Sequence, residues 1–174
     1  MRPVVPAVSV VMPVHNAGTY LDQCIQSIVD QTFRDFEFII VDDCSTDGST
    51  AALREWARRD CRIRLFESTQ TLGTSGSSNY VVRHARAPLV ARMDADDVSH
   101  PERLARQRRV LAAREDVVLV GTLCDGIDAQ GRGVRPRDRW RLMRASLYPP
   151  FPHGSVMFRR AAFESVGGYR AAGV

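Results

Sequence analysis

The stretch Leu89-Val-Ala-Arg-Met-Asp-Ala-Asp-Asp97 runs from apolar residues into three carboxylates, and Ser99-His-Pro-Glu102 follows as a helix-opening sequence. A short apolar run of this kind reads as a buried strand over Pro88–Met93. Residues two apart on a strand share a face, so Asp94 and Asp96 are expected to project together where the strand runs out, with Asp97 turned aside. Carboxylate oxygens suit Mg2+ or Mn2+, whose sites take one or two protein carboxylates and fill the remaining positions with water and phosphate oxygens. A competing reading makes Asp97 or Ser99 the cap of a helix beginning near His100, with Glu102 completing a Ser-x-x-Glu capping box. Capping accounts for Ser99 and Glu102. It leaves the mutual repulsion of three neighbouring carboxylates with no cation to offset it.

On either side of this stretch the chain alternates. Val8–Val14 is an apolar run ending at Pro13-Val-His-Asn16, and Leu21, Cys24, Ile25, Ile28 and Val29 follow at helical spacing. Phe36–Val41 is a second strand closed by Asp42-Asp-Cys-Ser-Thr-Asp-Gly48, and Ala51, Leu53, Trp56 and Ala57 mark a second helix. Ile63–Phe66 reads as a strand, Ser75–Ala85 as a helix, Pro101–Arg114 as a helix and Val117–Gly121 as a fifth strand. This order predicts an α/β fold, a mainly parallel sheet with helices on both faces. Ligands in such sheets sit beyond the carboxyl ends of the strands. Pro13–Asn16, Asp42–Asp47 and Asp94–Asp97 each follow a strand, so all three are expected on one rim. Asp43 is taken there as an acceptor for polar donors on a base or ribose, while Ser45–Gly48 reads as a turn in which Asp47 caps the next helix.

Length and composition suit one domain with a real core, since the chain has 174 residues, of which 44% are hydrophobic. No apolar stretch approaches a membrane span and the first residues lack a signal-peptide core, which makes a cytoplasmic protein the expectation. Cys24, Cys44, Cys61 and Cys124 are scattered without a Cys-x-x-Cys pair, a spacing that disfavours zinc and reads as reduced, buried thiols. All 24 basic residues are Arg and the net charge is +4. Arg54, Arg58 and Arg59, and likewise Arg103, Arg106, Arg108 and Arg109, are read as solvated helix faces. No basic-aromatic interleaving accompanies them, so a nucleic-acid partner lacks support. A dinucleotide oxidoreductase is disfavoured because no Gly-x-Gly-x-x-Gly follows the first strand.

Four segments together carry a likeness: Val8-Ser-Val-Val-Met-Pro-Val-His-Asn16, Ile39-Ile-Val-Asp-Asp-Cys-Ser-Thr-Asp-Gly-Ser49, Ala91-Arg-Met-Asp-Ala-Asp-Asp97 with Ser99-His-Pro-Glu-Arg103, and His153-Gly-Ser-Val-Met-Phe-Arg159. In order and spacing they resemble family 2 glycosyltransferases. That resemblance implies a GT-A fold, a Rossmann-like α/β/α sandwich, here C-terminally truncated. Residues 1–174 would be one GT-A domain, with 1–122 as nucleotide-binding core and 123–174 as the start of an acceptor-side region. It implies a nucleotide-sugar donor, with a uridine nucleotide favoured, and a glycan, lipid or other hydroxyl acceptor. Pro13 and His15 would border the nucleobase and Asp43 would contact its polar edge. Asp94-Ala-Asp96 resembles the family's Asp-x-Asp motif: Asp96 would bind Mn2+ or Mg2+ bridging the diphosphate, with Asp94 and the Ala95 backbone beside the ribose or metal waters. Asp97 would support the metal site from outside that set or contact the donor sugar, and Gly73–Asn79, similar to the loop before the family's third helix, offers no basic residue where some members place one.

The implied reaction is glycosyl transfer with inversion, and its general base belongs to an acidic motif expected beyond Val174. Glu164, in a short helix over Ala161–Val166, reads as a surface residue, so no catalytic base is assigned. The alternative is a nucleotide-sugar-binding module without transferase activity in this form. His153 is read as either a ligand-side or a structural residue, His84 as helix surface and His100 as a helix-start residue. Arg135–Pro152, with Trp140 and Tyr148, is read as a lid or long connection, and Ile127–Arg132 as a turn.

Overall fold

The computed structural model describes residues 5–127, 133, 134 and 151–170. Trp140, Tyr148, most of Arg135–Pro152 and residues 128–132 of the expected turn lie outside the described residues.

Val8–Val14 (β1) and Phe36–Asp42 (β2) are buried almost throughout, the mark of parallel strands covered on both faces. Ile63–Glu67 (β3) and Leu89–Arg92 (β4) extend the parallel set, β3 beside β2 and β4 beside β1. Leu119–Val120 (β5) lies at the far edge, and Gly126–Ile127 (β6) and Gly133–Val134 (β7) form a separate antiparallel pair. Met157–Arg159 (β8) enters antiparallel between β4 and β5, giving the order β3-β2-β1-β4-β8-β5. This last strand has three residues and no periodic signature, which explains why the sequence reading gave its neighbours but not it.

Alternation along the strands divides the core. Val8, Val10, Met12 and Val14 of β1, with Phe36, Phe38 and Ile40 of β2, pack against Leu21–Val29 (α1), Ser49–Arg59 (α2) and Arg103–Ala113 (α4). Val11, Ile39, Val41 and Val90 face Gly73–Arg83 (α3) and the short Arg160–Ser165 (α5). The result is the expected three-layer sandwich. Complete burial of a side chain such as Phe38 or Ile25 contributes about 1.5–3 kcal/mol. Pro13 is tolerated inside β1 because β4 pairs only with Val8–Val11, so its missing N–H falls where the neighbouring strand has ended.

Glu37 and Arg103 are among the charges buried within this apolar frame. Glu37 accepts from Ser9 Oγ at 2.7 Å and from the Arg86 backbone at 2.8 Å, and pairs with Arg64 at 2.6 Å and Arg86 at 2.8 Å. Burial pushes its carboxyl up, yet these hydrogen bonds and the Arg64 charge bring it below the usual value. Arg103 was expected on a solvated face, but it is buried on the same stripe as Leu104, Gln107 and Leu111. Its guanidinium donates to the Arg92 carbonyl and to Gln107 Oε1 at 3.2 Å, and burial pulls its pKa down to about 10. Arg54, Arg58 and Arg59 are exposed, as expected, in ion pairs with Glu67 and Glu55. Among the described residues, no helix is long and apolar enough to cross a membrane.

Candidate functional site

The carboxyl ends of β1, β2 and β4 open onto one cavity of about 560 Å³. Pro13, His15, Asp43, Asp94, Ala95 and Asp96 all line it, so the strand-end rule brought together every residue nominated for the site.

The β1 end is a closed set of hydrogen bonds. His15 Nδ1 lies 2.7 Å from the Asp43 carbonyl, which can only accept, so Nδ1 carries the proton. Nε2 then accepts from Asn16 Nδ2 at 3.2 Å, and Asn16 Oδ1 accepts from the Thr46 N–H at 2.8 Å. Both imidazole nitrogens are therefore engaged, which suits a fixed wall better than a proton-transfer group. Asn16 reaches this position with φ of 53°.

Asp42 and Asp43 divide their work. Asp42 closes the following turn, accepting from the Ser45 N–H at 3.1 Å and Thr50 Oγ1 at 2.5 Å. Asp43 accepts from the N–H groups of Leu72 at 2.6 Å and Gly73 at 2.9 Å, so a carboxylate just past the end of β2 caps the start of α3. Two unpaired helix donors, the N-terminal dipole and the negative charge explain why α3 begins there. Asp47 takes the Ser49 N–H at 3.0 Å and the Gly18 N–H at 2.8 Å, as expected of a residue that holds the turn and starts α2.

The acidic segment departs from the strand geometry foreseen for it. β4 ends at Arg92, and Asp94–Asp97 is a turn in which the Asp97 N–H donates to the Asp94 carbonyl at 3.2 Å. Asp94 and Asp96 both face the cavity, but the turn places them there instead of strand alternation. Asp97 meets Asp94 on the other side: the Oδ2 atoms of both carboxylates crowd the space where Gly154 lacks a Cβ. Loss of water around the Asp97 carboxyl, followed by the charges of Asp94 and Asp96, pushes its pKa upward. The residue as a whole is exposed, so this shielding is local to the carboxyl against Gly154. The capping box is absent: Glu102 makes no side-chain cap and pairs with Arg106 at 2.5 Å, while the Ser99 N–H donates to Ser27 Oγ at 3.0 Å.

An oxygen-only donor set with crowded negative charge fits a hard divalent cation. Among the described residues no three His, Cys, Asp or Glu side chains are placed to enclose an ion unaided. Such a cation would therefore take further ligands from water or a phosphate group.

Several lining residues carried no sequence signal of their own. Thr71 comes from the segment before α3, Gly73, Thr74 and Ser77 come from the first half of α3, and Arg92 comes from β4. Arg92 could have been noticed as a charge inside an otherwise apolar run. Outside the cavity, His153 Nε2 lies 2.8 Å from the Tyr169 hydroxyl; its partial loss of water and the nearby Arg92 charge hold its pKa below the usual histidine value. Glu164 is exposed on α5 near Arg160, at 3.6 Å, and does not line the cavity. His100 accepts from the Glu102 N–H at 3.3 Å at the helix start, as expected. His84, expected on a helix surface, is instead stacked on Tyr80 with ring centroids 4.4 Å apart.

Comparison with known proteins gives the family and the fold. The profile of glycosyl transferase family 2 matches residues 9–167. The chain belongs to glycosyl transferase family 2. Among curated relatives, the putative glycosyltransferase EpsE of Bacillus subtilis is 32% identical over 170 residues, covering 95% of this chain and 61% of EpsE. The mannosyltransferase PcManGT from Pyrobaculum calidifontis, solved in complex with GDP-Man and Mn2+, superposes with a TM-score of 0.77 at 28% identity, covering 97% of this chain and 48% of that one. TarS of S. aureus, residues 1–349 with UDP, gives a TM-score of 0.76 at 21% identity over 94% of this chain and 50% of that one. The family 2 fold seen here is thus GT-A, and the chain spans roughly half to three fifths of the length of these three proteins.

Proposed function

We propose that this chain is the donor-binding part of an inverting glycosyltransferase that uses a nucleotide sugar, UDP-linked by preference, and a hydroxyl acceptor. The observation that carries the reading is the meeting of Pro13, His15, Asp43, Asp94 and Asp96 in one cavity at the strand ends. Pro13 and the doubly anchored His15 form a rigid border for a base, and the remaining lone pairs of Asp43 accept from its polar edge. Asp96, with Asp94 beside it, would hold Mn2+ or Mg2+. Such a cation, when bound, offsets the negative charge that gathers on the diphosphate as the sugar–phosphate bond stretches. The presence of GDP-Man and Mn2+ in the PcManGT structure supports both the donor class and the metal.

The chain's own residues then orient the diphosphate and shape the cavity around it. The acceptor hydroxyl attacks the anomeric carbon from the face opposite the leaving group and must lose its proton to a base. Each tenfold in rate requires about 1.4 kcal/mol of stabilisation selective for the transition state.

Calorimetric titration of UDP and GDP, with and without Mn2+, tests the reading. Tighter nucleotide binding with Mn2+ is expected in the wild-type chain, and Asp96→Ala should abolish the difference. Equal affinity in both proteins under both conditions would defeat the assignment of Asp96. Binding without transfer to any acceptor would favour a nucleotide-sugar-binding module.

A further inference from the structure

Arg92 is an unexpected residue for its position. It shares a face of β4 with Val90, beneath α3, and its side chain is only 4% exposed. A buried guanidinium is costly unless its donors and charge are matched. Here the matching is partial. Nη1 donates to Ser78 Oγ at 2.8 Å, Nη2 pairs with Asp94 Oδ1 at 3.0 Å, and the group stands 5.7 Å from the Tyr169 ring centroid. Nε is buried and has no hydrogen-bond partner among the described residues.

Its surroundings explain the cost. The cavity wall carries three carboxylates, Asp43, Asp94 and Asp96, and Arg92 is the one arginine among the described residues lining it. The α3 segment from Gly73 to Asn79 contains no basic residue, and its Ser78 hydroxyl is where the Arg92 guanidinium rests. A nucleoside diphosphate entering this cavity meets a surplus of negative charge. The cation supplied by β4 lies between Asp94 and Ser78 in the middle of α3, and low local polarity strengthens its field.

We propose that Arg92 is the donor-specificity residue that lets the cavity accept a diphosphate: it neutralises Asp94 and presents fixed positive charge toward the phosphates from beside α3. The assignment rests on the nucleotide-sugar reading above and adds the residue that makes the site selective for the diphosphate over the monophosphate. Asp94 is thereby held as a partner of Arg92, leaving Asp96 as the freer carboxylate for a cation.

The test uses the 174-residue chain in EDTA, titrated with UDP and UMP, and with GDP and GMP in parallel. For the base that binds, Arg92→Met should weaken the diphosphate at least tenfold and the monophosphate less than threefold, and Arg92→Lys should recover a substantial part of the loss. Mn2+ alone, followed by electron paramagnetic resonance, should bind Arg92→Met at least as tightly as wild type, because the substitution uncovers a carboxylate. A role confined to structure would weaken diphosphate, monophosphate and Mn2+ together, and that result overturns the proposal. Unchanged diphosphate affinity in Arg92→Met also overturns it while leaving the nucleotide-sugar reading intact. A wild-type chain that binds neither UDP nor GDP, with or without Mn2+, overturns both. Should Arg92→Met fail to fold, Arg92→Gln and Ser78→Ala apply the same criterion: loss of the diphosphate preference supports the proposal and its retention in both overturns it.

Discussion

Replacement of Gly154 by alanine probes the acidic turn from its far side. A Cβ on Gly154 would lie 2.7 Å from Oδ2 of Asp94 and 2.7 Å from Oδ2 of Asp97, where ordinary contact begins near 3.4 Å. Each overlap is thus about 0.7 Å. Asp94 is not free to swing clear at no cost, because its Oδ1 is held by Arg92, whereas the turn fixes only the backbone of Asp97 through its N–H. Over-packing of this kind costs about 1–3 kcal/mol. Gly154→Ala is therefore expected to lower stability by about that amount in metal-free urea unfolding. It should also weaken Mn2+ binding in the presence of UDP by about tenfold, equivalent to about 1.4 kcal/mol. Asp97→Ala removes one of the two overlaps, so the penalty of Gly154→Ala should shrink in that background, with a coupling above about 0.5 kcal/mol. A Gly154→Ala chain as stable as wild type within about 0.5 kcal/mol, with unchanged Mn2+ affinity, would refute the reasoning that the glycine exists to let the two carboxylates converge.

Two further substitutions address the buried charges. Glu37 has a lowered pKa in the fold, so its ion-pair contribution is present above the unfolded value near 4.5 and is lost as pH falls through the lower folded value. Glu37→Gln should reduce stability at neutral pH, and its deficit against wild type should shrink on acidification below that window in urea unfolding; a deficit independent of pH would contradict the assignment. Arg103→Met removes the donor to the Arg92 carbonyl, and leaving that buried group unsatisfied should cost about 1–3 kcal/mol. Equal urea midpoints for Arg103→Met and wild type would show that the carbonyl is satisfied in another way.

The parts legible in the sequence are those governed by a single strong signal. β1 and β2 are buried on both faces, so their apolar runs read directly; β1 ends at the cavity residue Val14 and β2 ends one residue before Asp43, which lines the cavity. The cavity itself followed from strand order. Where two signals compete, the sequence misled. Arg103 lies on the buried stripe of α4, but its charge argued for solvent, and only the fold shows the backbone carbonyl that receives it. Asp94 and Asp96 reach the cavity for a reason other than alternation, because the chain turns one residue after Met93. Ser99 and Glu102 match a capping box in letters, yet Ser27, Gln31 and Arg106 take their polar groups. Contacts made from far along the chain, such as Gly154 against Asp94, leave no local trace.

The antiparallel insertion of β8 also bears on how the molecule is made. During synthesis the strand carrying the acidic turn emerges well before the residues that flank it, and until Met157–Arg159 arrives one border of β4 lacks its backbone partner. An unpaired border of this kind recruits neighbouring chains. Nascent polypeptides halted ahead of that point would therefore be sticky on the ribosome, and maturation of the acidic corner would coincide with closure of the sheet.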